Sequence, residues 1–277
     1  MVEEPLVGAP AGLAQELAAR RARPRRSWRE NERTYSLLTA GPDLLFARYS
    51  SAPADVEVLS HEAAVRSLIG AHGALRAPGV LAQGPGWLLE QAIEPEPLRG
   101  PVAIDAAALA AERLAGIELP ALGAGAPVPA RETIKRRAAV LRSPLPLRDQ
   151  FRAKRIVARC SLPLVTSHGD FHEGNILYAQ GIAWVIDWEL TRPRPAGYDL
   201  MTLWPSLRDE GDRERLWRAA LDVVGPAHEA DVARLRYALT VRTIANKLAS
   251  RAAFNLDPAG GRRLLELLPQ LRRQVAG

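Results

Sequence analysis

In a chain whose second half is almost uniformly helical in period, one stretch, "SHGDFHEGNILYAQGIAWVIDWE" at residues 167–189, reads only as short strands and tight polar turns. Ile182, Trp184 and Ile186 alternate with Ala183, Val185 and Asp187, the period of a half-buried strand, and "NILY" precedes them across the turn "AQG". A hairpin folds its outer ends together. Asn175 opens the first strand and Asp187 ends the second, so the two are expected side by side with Asp170 close by. Two carboxylates and a side-chain carbonyl are hard oxygen donors, the kind that suits Mg²⁺ held together with substrate phosphates.

The rest of the chain frames this hairpin. Residues up to Ile93 alternate between strand-length apolar runs and one long helical pattern. "AGLAQELAARRAR" reads as a helix ended before Pro24, "RTYSLLTA" and "LLFARYSS" as a hairpin across "GPD", and "DVEVLSHEAAVRSLIGAHG" as a helix closed by glycine. "PGVLAQG" and "WLLEQAI" add two strands, and the Pro-rich "EPEPLRGP" is a connector. Six helical patterns follow: "AIDAAALAAERLAG", "ARETIKRRAAVLR", "LRDQFRAKRIVARC", "ERLWRAALDVVG", "EADVARLRYALTVRTIANKLASRAA" and "GRRLLELLPQLRRQV". "LPALGAGAPVPA" at 119–130 reads as a flexible link. The expected architecture is α+β and two-lobed, a small sheet lobe over 1–93 and a larger, mainly helical lobe over 94–277, with a cleft between them.

Composition narrows the function classes. A net charge of +6 favours anionic ligands, but the densest basic run, Arg20–Arg26, has no aromatic residues interleaved and reads as a solvated face, so no nucleic-acid partner is expected. Cys160 is the only cysteine, which excludes an intrachain disulfide. The acidic start "MVEEPLVGAP" is unlike a signal peptide and no apolar run is membrane-long, so a cytoplasmic protein without a membrane partner is expected, monomeric or homodimeric.

The spacing H-x-D-x4-N followed by a strand-borne Asp is a phosphoryl-transfer layout: a base, one metal ligand, and a second metal ligand across the hairpin. The run "HGDFHEGNIL…VIDWE…YDL" resembles the aminoglycoside phosphotransferase and choline kinase family, a group with the protein-kinase-like fold; the resemblance is strongest over 165–203 and weaker over about 29–98. It implies Asp170 as the catalytic base or orienter of the substrate hydroxyl, Asn175 and Asp187 as Mg²⁺ ligands, His168 and His172 as loop-shaping residues, and Asp199 as a buried tie to the catalytic loop. In the small lobe it implies Arg48 paired with Glu62 to hold nucleotide phosphates, and backbone groups near Gln91 and Ile93 against a purine edge. The family's glycine-rich phosphate loop is missing, since "RENERTYSL" has no glycine, which leaves Asn31 and the turn amides as candidate contacts. Glu189 reads as solvent-facing.

The implied reaction is transfer of the γ-phosphoryl group of ATP, or of GTP, to a hydroxyl of a small molecule. An antibiotic-modifying kinase of the aminoglycoside phosphotransferase type is the leading expectation. A choline, ethanolamine or thiamine kinase and a non-catalytic nucleotide-binding module are the alternatives, the former needing an aromatic cage that Trp188, Tyr198, Trp204, Trp217 and Tyr237 could supply or could bury as core. A dinuclear metallophosphoesterase would need more histidines near the motif than the two present, and a protein-serine kinase would need an activation segment that the short run from "DWEL" to "YDL" excludes.

Overall fold

A computed structural model describes residues 6, 8–30, 32–73, 75–118, 145–248 and 258–275. The expected helix "ARETIKRRAAVLR", the link "LPALGAGAPVPA", the end of the longest helical pattern beyond Leu248, and Asn31 lie outside the described residues. Two compact units emerge: Met1–Pro97 with Leu177–Thr191, and a second unit holding the helical remainder up to Ile176 and from Arg192 onward. The N-terminal part of the first is an antiparallel sheet and the second is mainly helical, the α+β class that the hydrophobic periods imply.

In the first unit, helix α1 (Ala11–Ala19) precedes a five-stranded sheet in the order β1-β2-β3-β5-β4, formed by β1 (Arg23–Glu30), β2 (Arg33–Ala40), β3 (Asp43–Tyr49), β4 (Val80–Gly84) and β5 (Trp87–Gln91). Alternation sends Leu38, Leu45, Ala47, Tyr49 and Leu89 to one face, where they pack with Leu13 and Leu17 of α1 and with Trp87. The opposite face carries Trp28, Tyr35 and Phe46, with ring centroids 5.6 to 6.2 Å apart. The basic run is solvated as expected, but the helix stops at Ala19 and most of the run forms β1. This strand sits at the sheet edge, the one place where Pro24 costs no ladder bond, and the register slips between Pro24 and Arg26.

Helix α2 (Pro53–His72) starts on a proline and closes on Gly73 in the left-handed region. Between β4 and β5 stands Gly86 (φ +74), where a Cβ would lie 2.5 Å from the Ser50 carbonyl oxygen. Gly86→Ala is therefore expected to destabilise the protein by about 2 kcal/mol or more in urea unfolding, since both backbone conformation and space forbid the methyl group.

The hairpin of the motif is present as β7 (Ile176–Ala179) and β8 (Ile182–Val185). From Leu177 it belongs to the sheet-bearing unit, held there by Val185 N–H to the Arg76 carbonyl and Glu96 N–H to the Tyr178 carbonyl.

The second unit contains α3 (Pro101–Ala115), α4 (Leu147–Ala158), β6 (Leu164–Ser167), β9 (Arg192–Pro195), α5 (Tyr198–Leu203), α6 (Glu210–Val224), α7 (Glu229–Leu248) and α8 (Pro258–Gln274). Strand β9 and the short α5 are absent from the hydrophobic-period reading: "RPRP" carries no strand pattern, and it is strand only because β6 pairs with it from Leu164↔Pro195 to Ser167↔Arg192. Helix α7 is the unit's axis. It is buried nearly all round from Val232 to Val241 and packs on α4, α5 and α8. Asp149 of α4 joins three helices, accepting from Tyr237 Oη (2.7 Å) and from Arg272 Nη2 (2.5 Å). No described helix is long and apolar enough to cross a membrane.

Candidate active site

The loop after β6 is shaped by one buried acid. Asp199 stands in the first turn of α5, whose entry Gly197 supplies in the left-handed region. Its Oδ1 accepts from Ser167 Oγ (2.8 Å) and Gly169 N–H (3.1 Å), and its Oδ2 accepts from His168 N–H (2.8 Å). Three donors converge on one carboxylate, so the backbone that presents Asp170 is held on both sides of His168. Gly169 has φ +83, and His168 is fully buried, edge-on to Phe171 at 6.0 Å.

Asp170 itself is partly exposed. Its Oδ2 lies 3.5 Å from His172 Nε2 and its Oδ1 3.9 Å from Arg242 Nη2. His172 Nδ1 accepts the Gly174 amide at 3.0 Å, which orients the ring's Nε2 toward Asp170. Burial pushes the Asp170 carboxyl up, but His172, Arg242 and His168 together outweigh it and hold the pKa below its ordinary value. Asn175 ends a one-turn helix, Glu173–Asn175, and its Nδ2 donates to the Asp170 carbonyl (3.0 Å). That bond commits the amide's N–H end to the loop, leaving Oδ1 as the end that a cation can use.

The first unit gathers the other predicted residues. Arg48 on β3 is buried. Its Nη2 is 2.5 Å from Glu62 Oε1 on α2 and 3.4 Å from Glu90 Oε2 on β5, while its Nη1 is 3.6 Å from Asp187 Oδ1. Arg48, Glu62 and Asp187 thus form one cluster, and Glu62 also accepts the Trp188 backbone amide. Asp187 is a non-glycine residue at φ +65, a conformation that the surrounding packing must maintain. Burial pushes its carboxyl up, the carboxylates of Glu189 and Glu62 push it further, and Arg48 and Arg33 pull it back, with a net pKa of about 8.

That displacement has a sign that stability measurements can read. A carboxyl whose folded pKa lies above its ordinary value of 3.8 binds its proton more tightly in the folded state. Stability is therefore lost as pH rises from about 4 toward 8 in the nucleotide-free protein. Asp187→Asn is expected to melt at a higher temperature than the parent, with a gap that widens over this interval; calorimetric melts across pH check it.

Around this cluster are residues that the motif reading missed. Arg66 of α2 pairs with Glu90 and with the Pro78 carbonyl. Arg33, at the start of β2, bridges Asp55 (2.9 Å) and Glu189 (2.7 Å). Glu189 is therefore paired with an arginine rather than facing solvent, a correction whose cause is a partner 156 residues away. Gln91 ends β5 and Ile93 lies two residues beyond it. Gln91 N–H donates to the Gly79 carbonyl and Ala92 N–H to the Leu44 carbonyl, each at 2.9 Å, whereas among the described residues Ile93 N–H has no backbone partner. Of the five aromatic residues that could form a cage, Trp188, Tyr198 and Tyr237 are fully buried.

The sequence matches a family model described as "Phosphotransferase enzyme family" over residues 21–237. No curated protein matches it. Solved structures of similar fold include an ethanolamine kinase of Plasmodium vivax (13% identity, 90% of this chain and 84% of that one, TM-score 0.62) and a choline/ethanolamine kinase family protein of Mesorhizobium loti (21%, 91% and 91%, 0.59). A third is the macrolide 2′-phosphotransferase MphH of Brachybacterium faecium (14%, 94% and 98%, 0.62). At these identities the likeness establishes the kinase-like fold, and the family match, which spans the Asp170 loop, the β7–β8 hairpin and Arg48 alike, makes the chain a member of the phosphotransferase enzyme family.

Proposed function

We propose that this protein is an ATP-dependent O-phosphotransferase acting on a hydroxyl of a small molecule. The observation that carries the reading is the Asp170 loop, stapled by Asp199 so that one carboxylate and the Asn175 amide are presented from a rigid backbone. Asp170 lies below its ordinary pKa, so it is ionised at neutral pH and suited to orient an acceptor hydroxyl and take its proton late, in line with a loose phosphoryl-transfer transition state. Arg48, fixed by Glu62 and Glu90, is proposed to hold the nucleotide phosphates in a bidentate fork, with Ile93 N–H available to the purine edge.

The residues proposed as ligands also suit a divalent cation: Asp187 and the Oδ1 of Asn175 each offer hard oxygen, and added positive charge would offset the burial and the neighbouring carboxylates that together raise the Asp187 pKa. Mg²⁺ held by Asp187 and Asn175 would supply neutralisation of the charge that develops on the transferring phosphoryl group.

The surroundings of Asp170 bear on the acceptor. Arg242 donates to Tyr198 Oη and stands beside Asp170, while the guanidinium of Arg194, on β9, lies 4.7 Å from the Tyr198 ring centroid. A polycationic aminoglycoside would bring several ammonium groups against these arginines. Choline would find Tyr198, Trp204, Trp217 and Tyr237 already stacked by the protein's own guanidinium groups. The antibiotic reading is thereby narrowed to antibiotics with few cationic groups, and a neutral or anionic metabolite is the second reading.

The deciding experiment measures ADP release from Mg-ATP against separate pools: aminoglycosides, macrolides, nucleoside and peptide antibiotics, choline with ethanolamine and thiamine, and hydroxy acids with sugar phosphates. Turnover with an antibiotic pool other than the aminoglycosides, or with the hydroxy acid and sugar phosphate pool, is expected, with a KM that rises about tenfold or more in Arg242→Ala if the acceptor is anionic. Turnover confined to aminoglycosides would sink the acceptor assignment. No turnover together with no Mg-ATP binding would sink the phosphotransferase reading itself.

A further inference from the structure

Within the helical unit a cavity of about 670 Å³ opens between α6, α7 and α8, beneath Trp204 at the end of α5. Its floor is an alternating stack. The guanidinium carbon of Arg213 lies 4.9 Å from the Trp204 ring centroid, and that of Arg236 lies 5.2 Å from Trp204 and 4.0 Å from Trp217. Both arginines are more than nine-tenths buried, 8% and 9% exposed. Arg213 Nε donates to the Leu207 carbonyl and Arg236 Nη2 to Gln274 Oε1, but among the described residues Arg213 Nη2 and Arg236 Nε are enclosed without an acceptor.

Two guanidinium groups buried with no carboxylate in direct ion-pair contact among the described residues are costly, although Glu214 and Glu229 act on Arg236, and Glu210 and Asp209 on Arg213, from further away. Burial brings the Arg236 pKa down to about 10 even though Glu214 and Glu229 pull it up, and at Arg213 burial and then the like charge of Arg263 outweigh Glu210 and Asp209. Stacking on tryptophan recovers part of that cost but leaves Arg213 Nη2 and Arg236 Nε without an acceptor among the described residues, as the Nε of Arg48, Arg66 and Arg194 also are. An arginine–tryptophan stack serving only as packing would need no open volume beside it, whereas this one lines a space of the size that small-molecule sites occupy.

The charges are layered. The acids lining the cavity, Glu210 and Glu214 of α6 and Glu229 of α7, are exposed at its mouth, while the cations lie within. A polyanion such as a nucleotide would have to lie across the acidic mouth. A single carboxylate can pass it, meet the arginines in charge-assisted hydrogen bonds and lay an apolar body on Trp217. We propose that this cavity is a binding site for a small monocarboxylate with an aromatic or aliphatic body, separate from the Asp170 loop. The separation follows from α7: Arg236 and Arg242, the residue beside Asp170, are six positions apart, about 9 Å along the helix and about 240° around it.

The test is calorimetric titration of the full-length protein with benzoate and with hexanoate, with inorganic phosphate and Mg-ATP as competitors and tryptophan fluorescence as a second readout. Saturable benzoate binding is expected, displaced by hexanoate, undisturbed by Mg-ATP and unchanged in Asp170→Asn. Arg236→Met and Arg213→Met should each weaken it about tenfold or more, since the methionine keeps the stem but removes the charge-assisted bonds. Ala230→Trp blocks the mouth without touching either arginine and should abolish binding, which keeps the test valid if an arginine variant fails to fold. Absence of saturable binding up to about 10 mM, or unchanged affinity in all folded variants, overturns the proposal and leaves the stack as packing. Neither result depends on whether the protein transfers phosphate.

Discussion

Asp170→Asn is expected to lower kcat by about two to four orders of magnitude while leaving Mg-ATP affinity and the melting temperature close to those of the parent. The substitution keeps the side chain's volume. It removes a negative charge that His172, Arg242 and His168 together stabilise, so it deprives the acceptor hydroxyl of its orienting acceptor. The loop itself depends on other bonds, because Asp199 holds the amides of His168 and Gly169, and Asn175 uses the Asp170 backbone carbonyl rather than its side chain. Steady-state rates with the acceptor found by the pooled assay, measured beside Mg-ATP calorimetry and a thermal melt, separate the effects. A large fall in melting temperature, or a kcat within a factor of a few of the parent, would show that Asp170 shapes the loop instead of serving the reaction.

The largest effect on stability is expected at the Arg48–Glu62 pair. Glu62 is completely buried and takes Arg48 Nη2 at 2.5 Å together with the Trp188 backbone amide. Glu62→Ala leaves Arg48 buried and less well compensated, a change that costs about 3 to 5 kcal/mol in comparable buried pairs. Replacing both partners tells a different story. The double variant Arg48→Met with Glu62→Leu removes both charges and fills similar volume, so most of the lost stability should return, because desolvating two ions largely offsets their attraction. Mg-ATP binding should not return, since the proposed phosphate contact is gone. Urea unfolding of the two variants, followed by nucleotide calorimetry, reads both quantities. If the double variant recovers binding as well as stability, Arg48 is not a phosphate ligand.

What could be read in advance was local. Strict alternation around Trp184 specifies a strand, and the two-residue turn of Gln180 and Gly181, both at positive φ, specifies its hairpin. Glycine closure specifies the end of α2, and the order of Arg48, Glu62, Asp170, Asn175 and Asp187 along the chain places each on a definite element. Periodicity of two or 3.6 residues is a property of neighbouring positions, so it survives without any knowledge of the fold.

The tertiary structure decided what depends on distant partners. The run at Arg23 became an edge strand because β2 supplied its ladder, and "RPRP" became β9 because β6 did. Glu189 is held by Arg33, Glu90 by Arg66, and Asp149 by an arginine 123 positions later. Charged residues carry no periodic signature of their partners, since an ion pair needs only that two side chains meet in space. The chain by itself thus determined which groups of phosphotransfer chemistry are present and on which local elements they stand. Only folding decided which arginines meet a carboxylate, as Arg48, Arg66 and Arg33 do, and which, like Arg213 and Arg236, are buried against tryptophan rings instead, because that balance is set by long-range packing against the cost of desolvating charge.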